Sequence, residues 1–101
     1  MNLGMMKQAM EMRRNLEKAQ KELAKQTVEV EAGKGAVKVV ANGQLRIVSL
    51  KINPDAIDPK KMGDLEKMVF KAVNDALDQA QDMSAKELKK ITGGLNIPGL
   101  T

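Results

Sequence analysis

Cysteine and histidine are both absent from this chain, and Phe70 is its only aromatic residue. Without cysteine there is no disulfide framework, no thiolate zinc or iron–sulfur site and no thiol nucleophile. Such a chain suits a reducing cytosol. Without histidine the commonest general base at neutral pH and the commonest metal ligand are also missing. Ser49 and Ser84 therefore have no imidazole to activate them. Asp75 and Asp78, three apart on a helix, lack a third converging ligand. The chain is not expected to be an enzyme, and no metal, cofactor or small-molecule substrate is implied. One aromatic ring cannot build a platform on which bases stack, so any contact with nucleic acid has to be electrostatic. No apolar run approaches the ~18 residues that span a bilayer. Residues 1–14 carry charges where a signal peptide has its apolar centre, so a cytoplasmic protein without a membrane partner is expected.

What is present fits one soluble domain with a modest core: 101 residues, of which 43% are hydrophobic and 30% charged. Residues 1–92 form the expected α+β domain, and residues 93–101 an apolar, Gly/Pro-containing tail. The net charge of +4 is unevenly placed. Residues 1–26 carry +3, residues 27–52 carry +2, and the remainder carries −1. The basic character lies in the first half.

Met5, Ala9, Met12, Leu16, Ala19 and Leu23 recur at alternating spacings of four and three, which predicts an amphipathic helix ending near Lys25 or Gln26. Val28 and Val30 alternate with Glu29 and Glu31, predicting a strand over Thr27–Ala32. Gly33-Lys34-Gly35 lacks the rest of a phosphate loop and reads as a turn. A second strand is predicted over 36–41. Asn42-Gly43 then predicts a type I′ turn with positive φ at both residues. The third strand, 45–52, is out of phase: Leu45 and Ile47 face one way, and Val48, Leu50 and Ile52 the other. A bulge near Ile47, or burial of both faces by a partner, would account for this.

Asn53-Pro54 and Asp58-Pro59 each place a capping side chain before proline, predicting a short helix and then a long one. Leu65, Val69, Ala72, Val73, Ala76, Leu77, Ala80 and Met83 form a broad stripe along it, widened by Met68 and Phe70. Ser84 and Glu87 could restart this helix as a capping box, or the helix could run through. Asn74 interrupts the stripe, either as a buried polar residue that fixes register or as an exposed one. Gly93-Gly94 ends the helix. A three-stranded sheet cannot cover the apolar faces of two long helices, so a homodimer is expected.

The bases of the first helix carry the positive functional implication. Arg13, Arg14, Lys18, Lys21 and Lys25 span roughly 18 Å at 1.5 Å per residue, over which a DNA duplex presents many phosphates. Lys7 is a further candidate, and Lys86, Lys89 and Lys90 are reserves. The rival expectation is a protein–protein interaction module that uses the methionine-rich helix (Met1, Met5, Met6, Met10, Met12) and the apolar tail.

Taken in order, these segments resemble the YbaB/EbfC family of bacterial nucleoid-associated proteins. The resemblance is carried by Met5-Met6-Lys7-Gln8-Ala9, by Gly33-Lys34-Gly35-Ala36-Val37-Lys38-Val39 with Asn42-Gly43, and by Ile52-Asn53-Pro54. It continues in Ala72-Val73-Asn74-Asp75-Ala76, Thr92-Gly93-Gly94-Leu95 and Pro98-Gly99-Leu100. It implies a homodimer whose paired helices project like tweezers. It also implies DNA binding with little or variable sequence preference, and roles in nucleoid organisation and gene expression; together with the bases of the first helix, the expectation is a homodimer that binds double-stranded DNA through phosphate contacts.

Overall fold

The computed structural model describes residues 3–92. Helix α1 (Leu3–Lys25) leads into three strands, β1 (Thr27–Ala32), β2 (Val37–Asn42) and β3 (Ile47–Ile52). Two single 3-10 turns, Pro54–Ala56 and Pro59–Lys61, then feed helix α2 (Met62–Thr92). The sheet is an antiparallel meander in the order β1-β2-β3. This is the expected α+β order, with the short helix a single turn at Pro54–Ala56 and the long helix preceded by a second turn, Pro59–Lys61, where it was expected to start. The Asn53 carboxamide oxygen accepts from Asp55 N at 3.0 Å, and an Asp58 carboxylate oxygen accepts from Lys60 N at 3.0 Å. Each cap is thus spent on one turn that proline has already fixed. The predicted tail, residues 93–101, lies outside the described residues, as does the Gly93-Gly94 stop.

Val37, Val39 and Ala41 of β2 are fully buried and, with Val30 of β1, form the sheet side of the core. The helix side is Leu65, Ala72, Ala76 and Ala80 of α2. The three alanines, at steps of four, let the helix axis come close to the sheet. α2 packs across β1 and β2 and only marginally on β3. It is continuous through Asp82–Ser84: no Gly or Pro interrupts it after Gly63, and Met83 stays in phase with the buried alanines. The capping-box restart is not formed. Asn74 lies two residues, about 200° of helix, from the buried Ala72 and is exposed in the single chain.

The β2–β3 connection corrects the sequence expectation. Among the described residues, positive φ occurs at Gly33, Lys34, Gly35 and Leu45, and not at Asn42 or Gly43. Asn42 N donates to Arg46 O at 2.9 Å, closing a three-residue loop whose left-handed residue is Leu45, φ 62°. Asn42 is only 6% exposed, and its carboxamide oxygen accepts from Gln44 N and Arg46 N at 3.0 and 3.1 Å. Gly43 is required by close approach. Its N–H donates to Leu23 O at 2.8 Å, and a Cβ there would sit 2.7 Å from that oxygen. The hairpin tip therefore caps the C-terminus of α1, giving a second, shorter donor to a carbonyl that Gln26 N reaches at 3.3 Å. By contrast the Gly33 turn does need positive φ, and a side chain there would run into the Met68 sulfur.

The phase break in β3 is a bulge. Val40 pairs with Ser49 and Ala41 with Ile47, which leaves Val48 as the extra residue. Ile47, Leu50 and Ile52 thereby share a face with the buried Ala41, Val39 and Val37. Leu45, expected inside the strand, belongs to the loop.

Candidate nucleic-acid interface

Only the second half of α1 is anchored: Ala19 and Leu23 are buried, while every residue from Leu3 to Glu11 is exposed. The helix packs against α2, and the molecule is a rod of 68 × 23 × 18 Å. On an α-helix with 3.6 residues per turn, Lys7, Arg14, Lys18, Lys21 and Lys25 fall within about 60° of arc. That arc lies on the far side of the helix from Ala19 and Leu23. From Lys7 to Lys25 the stripe is about 27 Å long at 1.5 Å per residue. All five side chains are exposed, and none has an ion-pair partner within 4 Å among the described residues. Glu11, Glu17 and Glu22 flank the stripe.

Arg13 stands apart. It lies about 80° beyond the edge of the stripe, and its Nε is 3.4 Å from a Glu17 carboxylate oxygen in an exposed i,i+4 pair. Such pairs add little to stability, and it is the helix phase that sets Arg13 apart from its basic neighbours. Lys86, Lys89 and Lys90, also exposed, lie on the last turns of α2, which run beside α1. Lys18, Ala19 and Glu22 of α1 line one shallow groove with Glu87 and Ile91 of α2. Lys90 is engaged with Glu87 at 3.3 Å. These three lysines lie on the same arm as the stripe.

A second surface is apolar. A groove of about 550 Å³ is lined by Ile52, Met62, Leu65, Val69, Phe70 and Val73, with Glu66 and Asn74 at its edge. Phe70, placed by its spacing in the core stripe, is 73% exposed. Leu50 is 42% exposed although it shares a sheet face with a fully buried Val39. The cause is the position of α2 over β1 and β2, which leaves the same face of β3 without a cover. The sequence signal for this surface was the breadth of the α2 stripe and the mixed phase of β3.

Among the described residues, no three His, Cys, Asp or Glu side chains could hold a metal ion. No described helix is long and apolar enough to cross a membrane.

Comparison with known proteins decides the family. Residues 1–95 match the model of the YbaB/EbfC DNA-binding family. The chain belongs to this family. It is 53% identical over 97 residues to a nucleoid-associated protein of Thermoanaerobacter pseudethanolicus, covering 96% of this chain and 87% of that one. A nucleoid-associated protein of Pelotomaculum thermopropionicum is 51% identical over 96 residues, covering 95% of this chain and 91% of that one. The crystal structure of an uncharacterized protein from Helicobacter pylori has the same fold, with a TM-score of 0.79 at 16% identity over 92% of this chain and 99% of that one. YbaB/EbfC membership makes this a DNA-binding protein and not a member of an enzyme class.

Proposed function

We propose that the chain binds double-stranded DNA as a homodimer, mainly through phosphate contacts made by Lys7, Arg14, Lys18, Lys21 and Lys25, with Arg13 in a lesser role. The observation that carries this is the unpaired basic stripe on the outer face of α1 in a chain of a DNA-binding family. A stripe of positive charges along a helix, with no aromatic side chain among them, tracks phosphates, so the affinity comes mainly from counterion release.

The dimer in this proposal is formed by the apolar groove and the uncovered face of β3. β3 is an edge strand, and its exposed Ile47 and Leu50 share a face with Ile52, which lines the groove together with Phe70 and Val69. An edge with exposed apolar side chains is the kind of surface that a second copy covers. A dimer built this way would hold two basic arms, and two arms on one duplex raise affinity by effective concentration. Gripping a duplex from two sides also constrains its path, through which the protein would alter DNA conformation, organise the nucleoid and influence gene expression.

The test is a titration of a random-sequence duplex, followed by fluorescence anisotropy at several salt concentrations. Each phosphate neutralised contributes about −0.9 to the slope of log K against log salt. A steep slope supports the proposal. Binding that tolerates salt and is lost on removing apolar residues would favour the interaction-module alternative.

A further inference from the structure

The row of side chains on the outer face of α1 is basic only in part. Followed back from Lys25 it runs through Lys21, Lys18, Arg14, Met10, Lys7 and Leu3, always at steps of three or four. At about 100° per residue, Leu3 lies inside the arc of the basic stripe and Met10 about 20° outside its edge. Both point away from the line of Ala19 and Leu23 that meets the core. Leu3 is 82% exposed and Met10 57%. Met5 and Met12 face the other way: they continue the line of Ala19 and Leu23 and share a groove with Ile91 of α2. Packing within the chain accounts for that second pair and gives no reason for an apolar residue at Leu3 or Met10.

The end of α1 that carries them has the width of a DNA groove. Ile91, one residue from the end of α2, lines grooves with Met12, Asn15 and Ala19, so among the described residues the turns of α1 before Met12 run on as a single helix. A helix with its side chains is about 10–12 Å across, and the major groove of B-DNA is about 12 Å wide. The minor groove, about 6 Å wide, is too narrow for it. Two helices packed side by side, with axes about 8–10 Å apart, are too broad for either groove. Within the major groove the apolar group presented by the base edges is the 5-methyl of thymine. Leu3 and Met10 stand about 10 Å apart along the helix, about three base pairs at 3.4 Å each. Lys7 lies between them and Arg14 one turn beyond, so each apolar side chain has a cation beside it to hold the neighbouring phosphates.

We propose that the free end of α1 enters the major groove and that Leu3 and Met10 rest against thymine methyl groups, which gives a phosphate-driven grip a preference for A·T pairs. This rests on the reading of α1 as the DNA-binding face. An unbranched thioether adapts to methyl groups at differing positions, so the preference is for thymine content more than for one fixed site. A chain with a single aromatic residue cannot stack bases, but an apolar contact of this kind needs no ring, and salt does not screen it. Lys18, Lys21 and Lys25, on the part of α1 packed beside α2, stay outside the groove and neutralise phosphates.

Deoxyuridine isolates the contact, because replacing thymidine with it removes the 5-methyl and keeps every phosphate and base pair. The full chain is titrated with a labelled A·T-rich duplex and with the same duplex carrying deoxyuridine at each thymidine, followed by anisotropy across a salt series. The proposal expects tighter binding of the thymine duplex, by about fourfold for each methyl buried, at a ratio that salt leaves unchanged. Leu3→Gln/Met10→Gln, with glutamine a good helix former, should bring the ratio close to one and still bind the deoxyuridine duplex. Met5→Gln, on the opposite face, should keep the ratio. A ratio of one in the unaltered protein overturns the proposal. So does a ratio that the double variant leaves unchanged, which would place its origin in duplex shape, or one that Met5→Gln abolishes equally. Failure to bind either duplex at low salt would instead overturn the DNA-binding reading of α1, and this proposal with it.

Discussion

Asn42 and Gly43 mark a turn, but the physical reason differs from the one their pairing suggests. The sequence points to positive φ, whereas the structure uses a carboxamide that orders the loop and a missing Cβ that admits the end of α1. Tertiary approach of this kind leaves no trace in local pattern, which is why it was not legible. Two glycine substitutions separate the causes. Gly43→Ala should cost about 1–3 kcal/mol, because the new carbon meets the backbone oxygen and side chain of Leu23, which cannot both yield. Gly63→Ala should stabilise by about 0.5–1 kcal/mol, since nothing lies within 4 Å of the added carbon in the first turn of α2. Urea denaturation of both variants checks the opposite signs.

The order of elements was legible because all but β3 have an unbroken period, two for β1 and β2 and 3.6 for both helices. What local pattern left open was decided by packing. At Ser84 a capping box and a continuous helix were both consistent with the residues, and the seam running from Ala72 through Ala80 to Met83 carries the helix through. Ser84→Ala should therefore change stability by less than about 0.5 kcal/mol, against about 1 kcal/mol for the loss of a true N-cap. Thermal unfolding distinguishes the two. At β3 the mixed phase pointed to a bulge or a partner, and the structure has the bulge together with an uncovered apolar face. If a second copy covers that face, Leu50→Glu and Phe70→Ala should each raise the dimer dissociation constant by about 10-fold or more while leaving helix content unchanged. Sedimentation equilibrium with circular dichroism measures both.

At the scale of the molecule, a 68 Å rod with a small core at one end and a charged arm at the other keeps the surface proposed for assembly apart from the stripe proposed for binding. The apolar groove and β3 lie with the sheet, whereas the basic stripe runs along α1. Charge counts along the sequence located the basic half of the chain but not its geometry. Arg13 and Arg14 are adjacent in sequence and about 100° apart on the helix, and only Arg13 is tied to Glu17. The central claim is that DNA is bound by a face of α1 and not by its charge in bulk. The most direct test compares Arg14→Glu/Lys18→Glu/Lys21→Glu with Arg13→Glu in anisotropy titrations of one duplex across a salt series. The account predicts that the triple variant loses most of its affinity and flattens the salt slope by about 0.9 for each lost phosphate contact, while Arg13→Glu loses far less per charge reversed. Equal loss per reversed charge, or a triple variant that binds like the unaltered protein, would contradict it.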